Sequence, residues 1–227
     1  MGIAERRERE KEQRRQTILD AAEKIFFSRG MAQATMEEVS ETAELSKGTL
    51  YLYFKSKEEL YFGISCRALS LLKKMFEEAV QDHTSGVEKI RAIGRAYYQY
   101  SQKYPDYFNM IIHYETSRLG NLVSEAVLMQ CHELGRGVME VVASSISTGL
   151  RDKSVRADLD PIRTAYLLQG VSTGIIQLIA REQSHIEQFE KFSAGDLMED
   201  FMDMMHHALK SNGILTQQVN KSRSKRS

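Results

Sequence analysis

The stretch from Leu45 to Leu60 limits the fold of this chain more than any other, because it contains two helix start signals in close succession. Ser46 can cap a short helix by accepting a hydrogen bond from a free backbone N–H group. Ser56 is followed three residues later by Glu59, and this capping-box pattern predicts the start of a second helix. The stretch therefore predicts a short helix, a tight connection and the beginning of a longer helix.

The short helix is predicted to carry polar side chains on one side and apolar side chains on the other. Its hydrogen-bonding residues are Lys47, Thr49, Tyr51 and Tyr53. Leu50 and Phe54 point the other way and anchor the helix on a core. The helix that begins after Ser56 has Lys57 at its N-terminus, where free N–H groups attract phosphate.

The composition favours an all-α fold. The chain of 227 residues contains two prolines and no tryptophan, and its long periodic segments lack alternating β-branched runs. With 42% apolar residues it can bury a core, and its length allows at most two small domains. Lys plus Arg and Asp plus Glu number 31 each, so the total charge does not indicate a polyanionic partner. Any basic patch must be local.

The residues before Ser46 predict two further helices. From Gln16 onward, apolar residues recur at helical spacing as far as Arg29-Gly30, where glycine can take the left-handed conformation that ends a helix. Thr35 and Glu38 form another capping box, which opens a short helix. Residues 16–54 thus have the layout of a helix-turn-helix unit, whose last helix enters the major groove of DNA.

The segment from Thr35 to Leu60 resembles the DNA-binding signature of the tetracycline-repressor (TetR) family of bacterial regulators. The residues that carry the resemblance are Val39, Ala43, Ser46-Lys47-Gly48-Thr49-Leu50-Tyr51, Tyr53-Phe54 and Lys57. The resemblance covers Gln16 to about Ile64 and implies a helix-turn-helix three-helix domain over residues 1–56. It also implies a larger helical domain, over residues 57–213, that binds a ligand and dimerises. The residues that it places at DNA are Thr35, Ser46, Lys47, Gly48, Thr49, Tyr51, Tyr53 and Lys57.

The chemistry of these side chains fits contacts to DNA. The threonine hydroxyls can bond phosphate, and the tyrosine rings can touch a thymine methyl group or a sugar. Lys47 can reach the O6 and N7 atoms of guanine, and Lys57 is predicted to face phosphate. Gly48 has no side chain, so the backbone can lie close to the duplex.

Acidic residues surround the predicted recognition helix. TetR-like proteins often have glycine where this chain has Glu44, so Glu44 either takes a left-handed conformation at a steric cost or lies in a different turn. Glu37, Glu38 and Glu41 add negative charge to the preceding helix. Residues 1–60 contain 11 basic and 12 acidic residues, a formal charge of −1. Affinity for DNA must therefore come from placed contacts rather than from bulk charge.

The aromatic residues and methionines between Tyr97 and Met139 have two interpretations. They form an ordinary helical core, or they line a cavity for an apolar or amphipathic ligand with a few polar atoms. The candidate ligand-binding residues are Tyr97, Tyr100, Tyr104, Tyr107, Phe108, Ile111, Met129 and Met139.

The last two predicted helices carry more apolar surface than one protomer needs. Thr164 to Ala180 contains no charged residue, but its 17 residues fall short of the ~20 that span a membrane. We predict a buried helix and a homodimer through about Pro161–Glu182 and Asp196–Lys210, in a four-helix interface like that of TetR-like proteins. Residues 214–227 are predicted to form a disordered basic tail.

The two cysteines, Cys66 and Cys131, are predicted to be reduced thiols, because they are too few and too far apart in the sequence for a disulfide framework or a metal site. The charged N-terminus lacks the apolar segment of a secretory signal, which predicts a cytoplasmic protein. Residues 4–15 form either a solvated helical extension or a frayed arm, from which Arg14 and Arg15 could reach DNA.

No spacing in the sequence indicates a catalytic triad, a carboxylate pair or a phosphate-binding loop, so we expect neither an enzyme nor a cofactor. We predict a homodimeric, sequence-specific repressor that binds a pseudo-palindromic operator and responds to a small apolar or amphipathic effector. The alternative is an architectural DNA-binding protein without small-molecule control, against which the neutral charge argues.

Overall fold

The computed structural model describes residues 2–116, 122–190 and 192–211, which form nine α-helices and no β-strand. The helices are α1 (Ile3–Arg29), α2 (Met36–Thr42), α3 (Lys47–Tyr53), α4 (Lys57–Gln81), α5 (Gly86–Lys103), α6 (Pro105–Thr116), α7 (Glu125–Arg151), α8 (Pro161–Phe189) and α9 (Ala194–Leu209). The predicted all-α class is confirmed. None of the helices within the described residues is both long and apolar enough to cross a membrane.

Side-chain caps start α2 and α3 at the residues that the sequence predicts. The backbone N–H of Glu38 donates to the Thr35 hydroxyl at 3.2 Å, and the Glu38 carboxylate accepts from the Thr35 N–H at 3.0 Å. The Ser46 hydroxyl accepts from the Thr49 N–H at 3.1 Å. Both starts are therefore set by hydrogen bonds between residues three apart in the chain.

The N-terminal residues belong to α1, which begins at Ile3. Of the two alternatives for residues 4–15, the helical extension is correct. Exposed ion pairs run along it, including Arg6 with Glu10 at 2.8 Å, one helical turn apart. The predicted basic tail, residues 214–227, lies outside the described residues.

The described residues fall into two compact units, the first containing residues 2–71, 104–116 and 122–135 and the second containing residues 72–103, 136–190 and 192–211. The first unit holds α1, α2, α3, the N-terminal part of α4, α6 and the start of α7. The second unit holds α5, α8, α9 and the remaining parts of α4 and α7. Domain boundaries at residues 56 and 213 stay a prediction.

The core of the first unit is built on the apolar stripe of α1. Ile18 and Leu19 are fully buried and cluster with Val39 of α2 and Leu50 of α3. The backbone of α4 comes close to α1 at Gly63, where a Cβ atom would lie only 2.7 Å from a methyl carbon of Leu19. The short helices α2 and α3, which would not be stable alone, are thus stabilised by packing in this core.

A disulfide bond joins Cys66 of α4 to Cys131 of α7, so the prediction of two reduced thiols is wrong. The two Cα atoms are 5.3 Å apart although 65 residues separate them in the sequence. Both side chains are buried in the core of the first unit. The prediction failed because distance along the sequence does not show which helices pack together.

Reduction of this disulfide should lower the stability of the protein. A cross-link between residues 65 apart restricts the unfolded chain and contributes about 4 kcal/mol. We expect the melting temperature of the native chain to fall when a reductant is added. The double variant Cys66→Ala/Cys131→Ala is the control, and its melting temperature should not respond to the reductant. A native chain that melts identically with and without reductant would contradict the pairing.

The turn between α2 and α3 places Glu44 in the left-handed region, with a φ angle of 55°. This confirms the first of the two alternatives for the turn. The Leu45 N–H donates to the Ser40 carbonyl at 2.9 Å and holds the turn closed. A residue with a Cβ atom is strained in this conformation, whereas glycine is not.

The variant Glu44→Gly should be more stable than the native chain. The matched control is Glu44→Ala, which removes the same charge but keeps the Cβ atom. We expect the free energy of unfolding of Glu44→Gly to exceed that of Glu44→Ala by about 1 kcal/mol. Chemical denaturation measures the difference, and equal stability of the two variants would show that the turn is not strained.

The second unit packs α5 against α8 and α9. The Tyr97 hydroxyl lies 2.9 Å from the Thr173 hydroxyl on α8, and Arg91 forms an ion pair with Asp203 on α9 at 2.5 Å. At the start of α5, a Cβ atom on Gly86 would lie 2.0 Å from the backbone of α7, so only glycine fits there.

Candidate DNA interface

The exposed side of α3 and the N-terminal turn of α2 form the candidate DNA interface, which we call the recognition surface. It comprises Thr35, Glu37, Ser46, Lys47, Gly48, Thr49 and Tyr51. On the opposite side of α3, Leu50 is fully buried, so the helix cannot rotate without losing its core contact. The backbone at Gly48 is open, because a Cβ atom there would contact only the Ser46 hydroxyl, at 3.9 Å.

The serine and threonine hydroxyls of the recognition surface take part in the N-terminal caps of α2 and α3. The Ser46 and Thr49 hydroxyls lie 2.8 Å apart, and the Thr35 hydroxyl donates to the Glu38 carboxylate at 3.0 Å. Hydrogen bonds from Thr35 are the main reason why the pKa of Glu38 is lowered. A contact from Thr35 to phosphate would therefore have to replace the hydrogen bond to Glu38.

The two tyrosines of α3 that were predicted to contact DNA differ in their surroundings. Tyr51 is 44% exposed on the recognition surface. Tyr53 is half-buried against the core of the first unit, so much of its ring supports the fold. Leu52, which the sequence analysis did not single out, is 77% exposed next to them. An exposed leucine on a recognition helix can touch a thymine methyl group.

Lys47 is held by an acidic residue of the neighbouring helix. Its Nζ atom lies 2.5 Å from the Glu37 carboxylate, and both side chains are 57% exposed. The hydrogen bond to Glu37 raises the pKa of Lys47, and the charge of Glu41 adds to the effect. The ammonium group is therefore charged and sits in an acidic neighbourhood.

Lys57, which was predicted to face phosphate, already has partners within the protein, and its contact with DNA stays a prediction. Its Nζ atom donates to the backbone carbonyls of Met31 and Ala32 at 3.2 Å and lies 3.5 Å from that of Ala34. These carbonyls belong to the connection between α1 and α2, which ends at the cap residue Thr35. Lys57 thus fixes the position of α2, and a direct contact from its ammonium group to phosphate would require the side chain to leave these carbonyls.

The variant Lys57→Met should show whether Lys57 acts by fixing the position of α2 or by contacting phosphate directly. Loss of the carbonyl contacts should lower the stability of the fold and weaken DNA binding at every salt concentration. We expect the slope of log K against log salt to stay unchanged, because an ammonium group held by these carbonyls neutralises no phosphate. A slope reduced by about 0.9 would identify a direct phosphate contact instead. Lys24→Met, at an exposed position of α1, controls for the loss of one positive charge.

A charged cluster that the sequence analysis missed is centred on Arg67. Arg67 of α4 donates to Asp20 at 2.7 Å and to Glu23 at 2.8 Å, and it also bonds Gln16. The Tyr107 hydroxyl of α6 donates to the same Glu23 carboxylate at 2.9 Å. The cluster ties α1, α4 and α6 together within the first unit. The spacing of residues 16, 20 and 23 on one face of α1 was the signal that could have indicated it.

The eight candidate ligand-binding residues are divided between the two units. Those in the second unit are Tyr97, Tyr100 and Met139. Those in the first unit are Tyr104, Tyr107, Phe108, Ile111 and Met129. Their roles as ligand contacts stay a prediction.

The surroundings of these residues differ as well. Tyr100 is fully buried, whereas Met129 is 51% exposed. The ring of Tyr107 contacts those of Phe27 and Tyr104, and burial followed by the hydrogen bond to Glu23 raises the pKa of Tyr107. Tyr107 therefore already has a structural role between α1 and α6.

A row of exposed apolar residues lies along α8. The row consists of Ile162, Tyr166, Leu167, Val171 and Leu178. A Cβ atom on Gly170 or Gly174 would contact nothing within 4 Å, so the helix backbone is accessible between these side chains. Such a surface suits the close approach of another helix.

Comparison with known sequences places the helix-turn-helix part of the chain among bacterial regulators. Residues 18–64 match the family described as "Bacterial regulatory proteins, tetR family". The chain is 26% identical over 155 residues to the uncharacterized HTH-type transcriptional regulator YhgD of Bacillus subtilis, covering 68% of this chain and 78% of that protein. It is 32% identical over 90 residues to the HTH-type transcriptional activator FasR of Mycolicibacterium smegmatis, covering 40% of this chain and 41% of FasR.

Solved structures share the fold over most of the chain. A putative tetR family transcription regulator from Shewanella sp. PV-4 superposes with a TM-score of 0.66 at 16% identity, covering 88% of this chain and 99% of that one. The regulator FadR of Bacillus subtilis, in complex with stearoyl-CoA, has a TM-score of 0.64 at 15% identity and covers 83% and 96%. AibR, in complex with isovaleryl coenzyme A and operator DNA, has a TM-score of 0.62 at 18% identity and covers 84% and 97%.

Proposed function

Because the chain belongs to the TetR family of bacterial transcriptional regulators, we propose that it represses genes by binding a pseudo-palindromic operator as a homodimer. The observation that carries the proposal is the recognition surface. Ser46 caps α3, buried Leu50 anchors it, and Lys47, Thr49 and Tyr51 are presented on the outer side. This is the arrangement of a helix that reads the major groove.

The charge balance supports specific rather than bulk attraction to DNA. Residues 1–60 carry a formal charge of −1, so non-specific binding through phosphates is weak. Binding then depends on the few side chains of the recognition surface and on the N–H groups at the helix starts. An architectural protein that coats DNA would be expected to carry a net positive charge, whereas this chain has 31 basic and 31 acidic residues.

The apolar row on α8 supports a homodimer. Burial of Leu167, Val171 and their neighbours against a second copy would remove this surface from water, and Gly170 and Gly174 allow close approach. The interface would consist of Pro161–Glu182 and Asp196–Lys210 from each protomer, packed as four helices. A dimer would hold two copies of α3 about one turn of DNA apart.

A small apolar or amphipathic effector would act through this spacing. It would bind the C-terminal helical domain and favour a dimer in which the two recognition helices no longer match the half-sites. The relatives that bind stearoyl-CoA and isovaleryl coenzyme A make acyl-CoA thioesters the first effectors to test. The candidate contacts are the tyrosines, methionines and other apolar residues given above. The whole cycle takes place in the cytoplasm.

The proposal is tested by fluorescence anisotropy with duplexes tiled across the DNA upstream of the gene. We expect saturable binding of two protomers to one site, resistant to excess unrelated duplex, and release by an acyl-CoA. The variant Tyr51→Ala should bind the operator about 10-fold more weakly, with unchanged affinity for unrelated DNA. Tyr51→Phe keeps the ring and separates the roles of ring and hydroxyl.

Each result that would overturn a part of the proposal is distinct. Equal affinity for all duplexes would exclude a sequence-specific regulator and favour an architectural protein. Binding of single protomers would exclude the dimer. Operator binding that is unchanged in both Tyr51 variants would remove Tyr51 from the recognition surface.

A further inference from the structure

The ion pair between Lys47 and Glu37 on the recognition surface calls for an explanation beyond stability. The two residues come from different helices, Glu37 from the first turn of α2 and Lys47 from the start of α3. Their charged atoms are 2.5 Å apart, and each side chain is 57% exposed. Ion pairs this exposed contribute little to folding. The pair therefore places one donor group and one acceptor group side by side on the surface that is proposed to meet DNA.

The edge of a G·C base pair in the major groove has the complementary pattern. Guanine presents the acceptors N7 and O6, and cytosine presents the N4–H donor beside them. O6 and N4 are joined by a base-pairing hydrogen bond and so lie about 2.9 Å apart. An ammonium group carries three N–H donors and a carboxylate carries two acceptor oxygens, so each can contact a base while the ion pair stays intact.

We propose that Lys47 and Glu37 together read one G·C base pair in each half-site. Lys47 donates to O6 and N7 of guanine, and Glu37 accepts a hydrogen bond from N4–H of the paired cytosine. Glu37 is thereby a specificity-determining residue. This assignment rests on the proposed function, because it requires α3 to lie in the major groove.

The other acidic residues of α2 are placed differently. The Glu38 carboxylate accepts from Thr35 at 3.0 Å and from Arg29 at 2.7 Å, which directs it to the start of α2. Glu41 acts on Lys47 through its charge, without a hydrogen bond to it. Glu37 is therefore the carboxylate of α2 that forms the ion pair with the Lys47 ammonium group.

The charges of the pair also discriminate against other contacts. A carboxylate beside the ammonium group repels phosphate, which keeps Lys47 from binding the backbone indiscriminately. An A·T pair offers the ammonium group N7 as an acceptor, but the N6–H donor of adenine takes the place of the second acceptor. A G·C pair satisfies both members of the ion pair.

The test combines protein variants with a modified base. Selection from random duplexes with the full-length native chain should return a G·C pair at one position in each half-site. Methylation of the N4 atom of that cytosine, which fills the place of the carboxylate, should weaken native binding about 10-fold. The variant Glu37→Ala should bind the methylated and unmethylated duplexes equally. Its G·C preference should fall at this position alone, because only Lys47 then reads the base pair.

Glu41→Ala is the matched control, because it removes the same charge from an exposed position of the same helix. It should raise the affinity for all duplexes alike and keep both the G·C preference and the sensitivity to methylation. Glu37→Gln keeps the size of the side chain and one acceptor oxygen, so it should retain more of the sensitivity to methylation than Glu37→Ala. Circular dichroism of each variant verifies that α2 remains folded.

The outcomes separate this inference from the proposed function. If the native chain selects no sequence, the proposed function fails. If it selects an operator but Glu37→Ala and Glu41→Ala change affinity by the same factor for every duplex, Glu37 acts only through its charge and the base-reading role is overturned. A preference for A·T at the position that responds to Glu37→Ala overturns it as well.

Discussion

The burial of Leu50 beneath α3 is the contact on which the rest of the recognition surface depends. A helix of seven residues is not stable in isolation, so α3 exists because its apolar side is buried in the core that it shares with α1, α2 and the start of α4. That packing fixes which side chains point outward. The same core positions α2, whose capped N-terminus brings Glu37 beside Lys47.

Several positive charges of the first unit are already engaged within it. Arg67 is bound to carboxylates of α1, Lys57 to backbone carbonyls, Lys47 to Glu37, and the Arg15 guanidinium lies 5.0 Å from the centre of the Phe54 ring. These interactions hold the helices in place and reduce the charge available to attract a polyanion. A unit arranged in this way gains little affinity from contacts with the phosphates of DNA. It must therefore recognise DNA through the geometry of a few side chains.

The sequence was sufficient for features that depend on neighbours in the chain. The caps at Thr35 and Ser46 were predicted at the correct residues, since each involves a hydrogen bond across three positions. The two possible conformations of Glu44 were also predicted, because the left-handed region is a local property of the backbone. The polar side of α3 followed from helical periodicity, and its buried side was confirmed.

Taken alone, the sequence determined where the capped helices α2 and α3 begin, the class of fold and the likeness to a family of regulators, because capping and periodicity act over a few residues. Only the tertiary structure decided which distant residues meet. The disulfide joins positions 65 apart, Lys57 reaches carbonyls up to 26 positions away, and Arg67 bonds residues of α1 up to 51 positions away. Such pairs depend on how whole helices pack, and helical periodicity fixes the face of a residue but not the partner of that face.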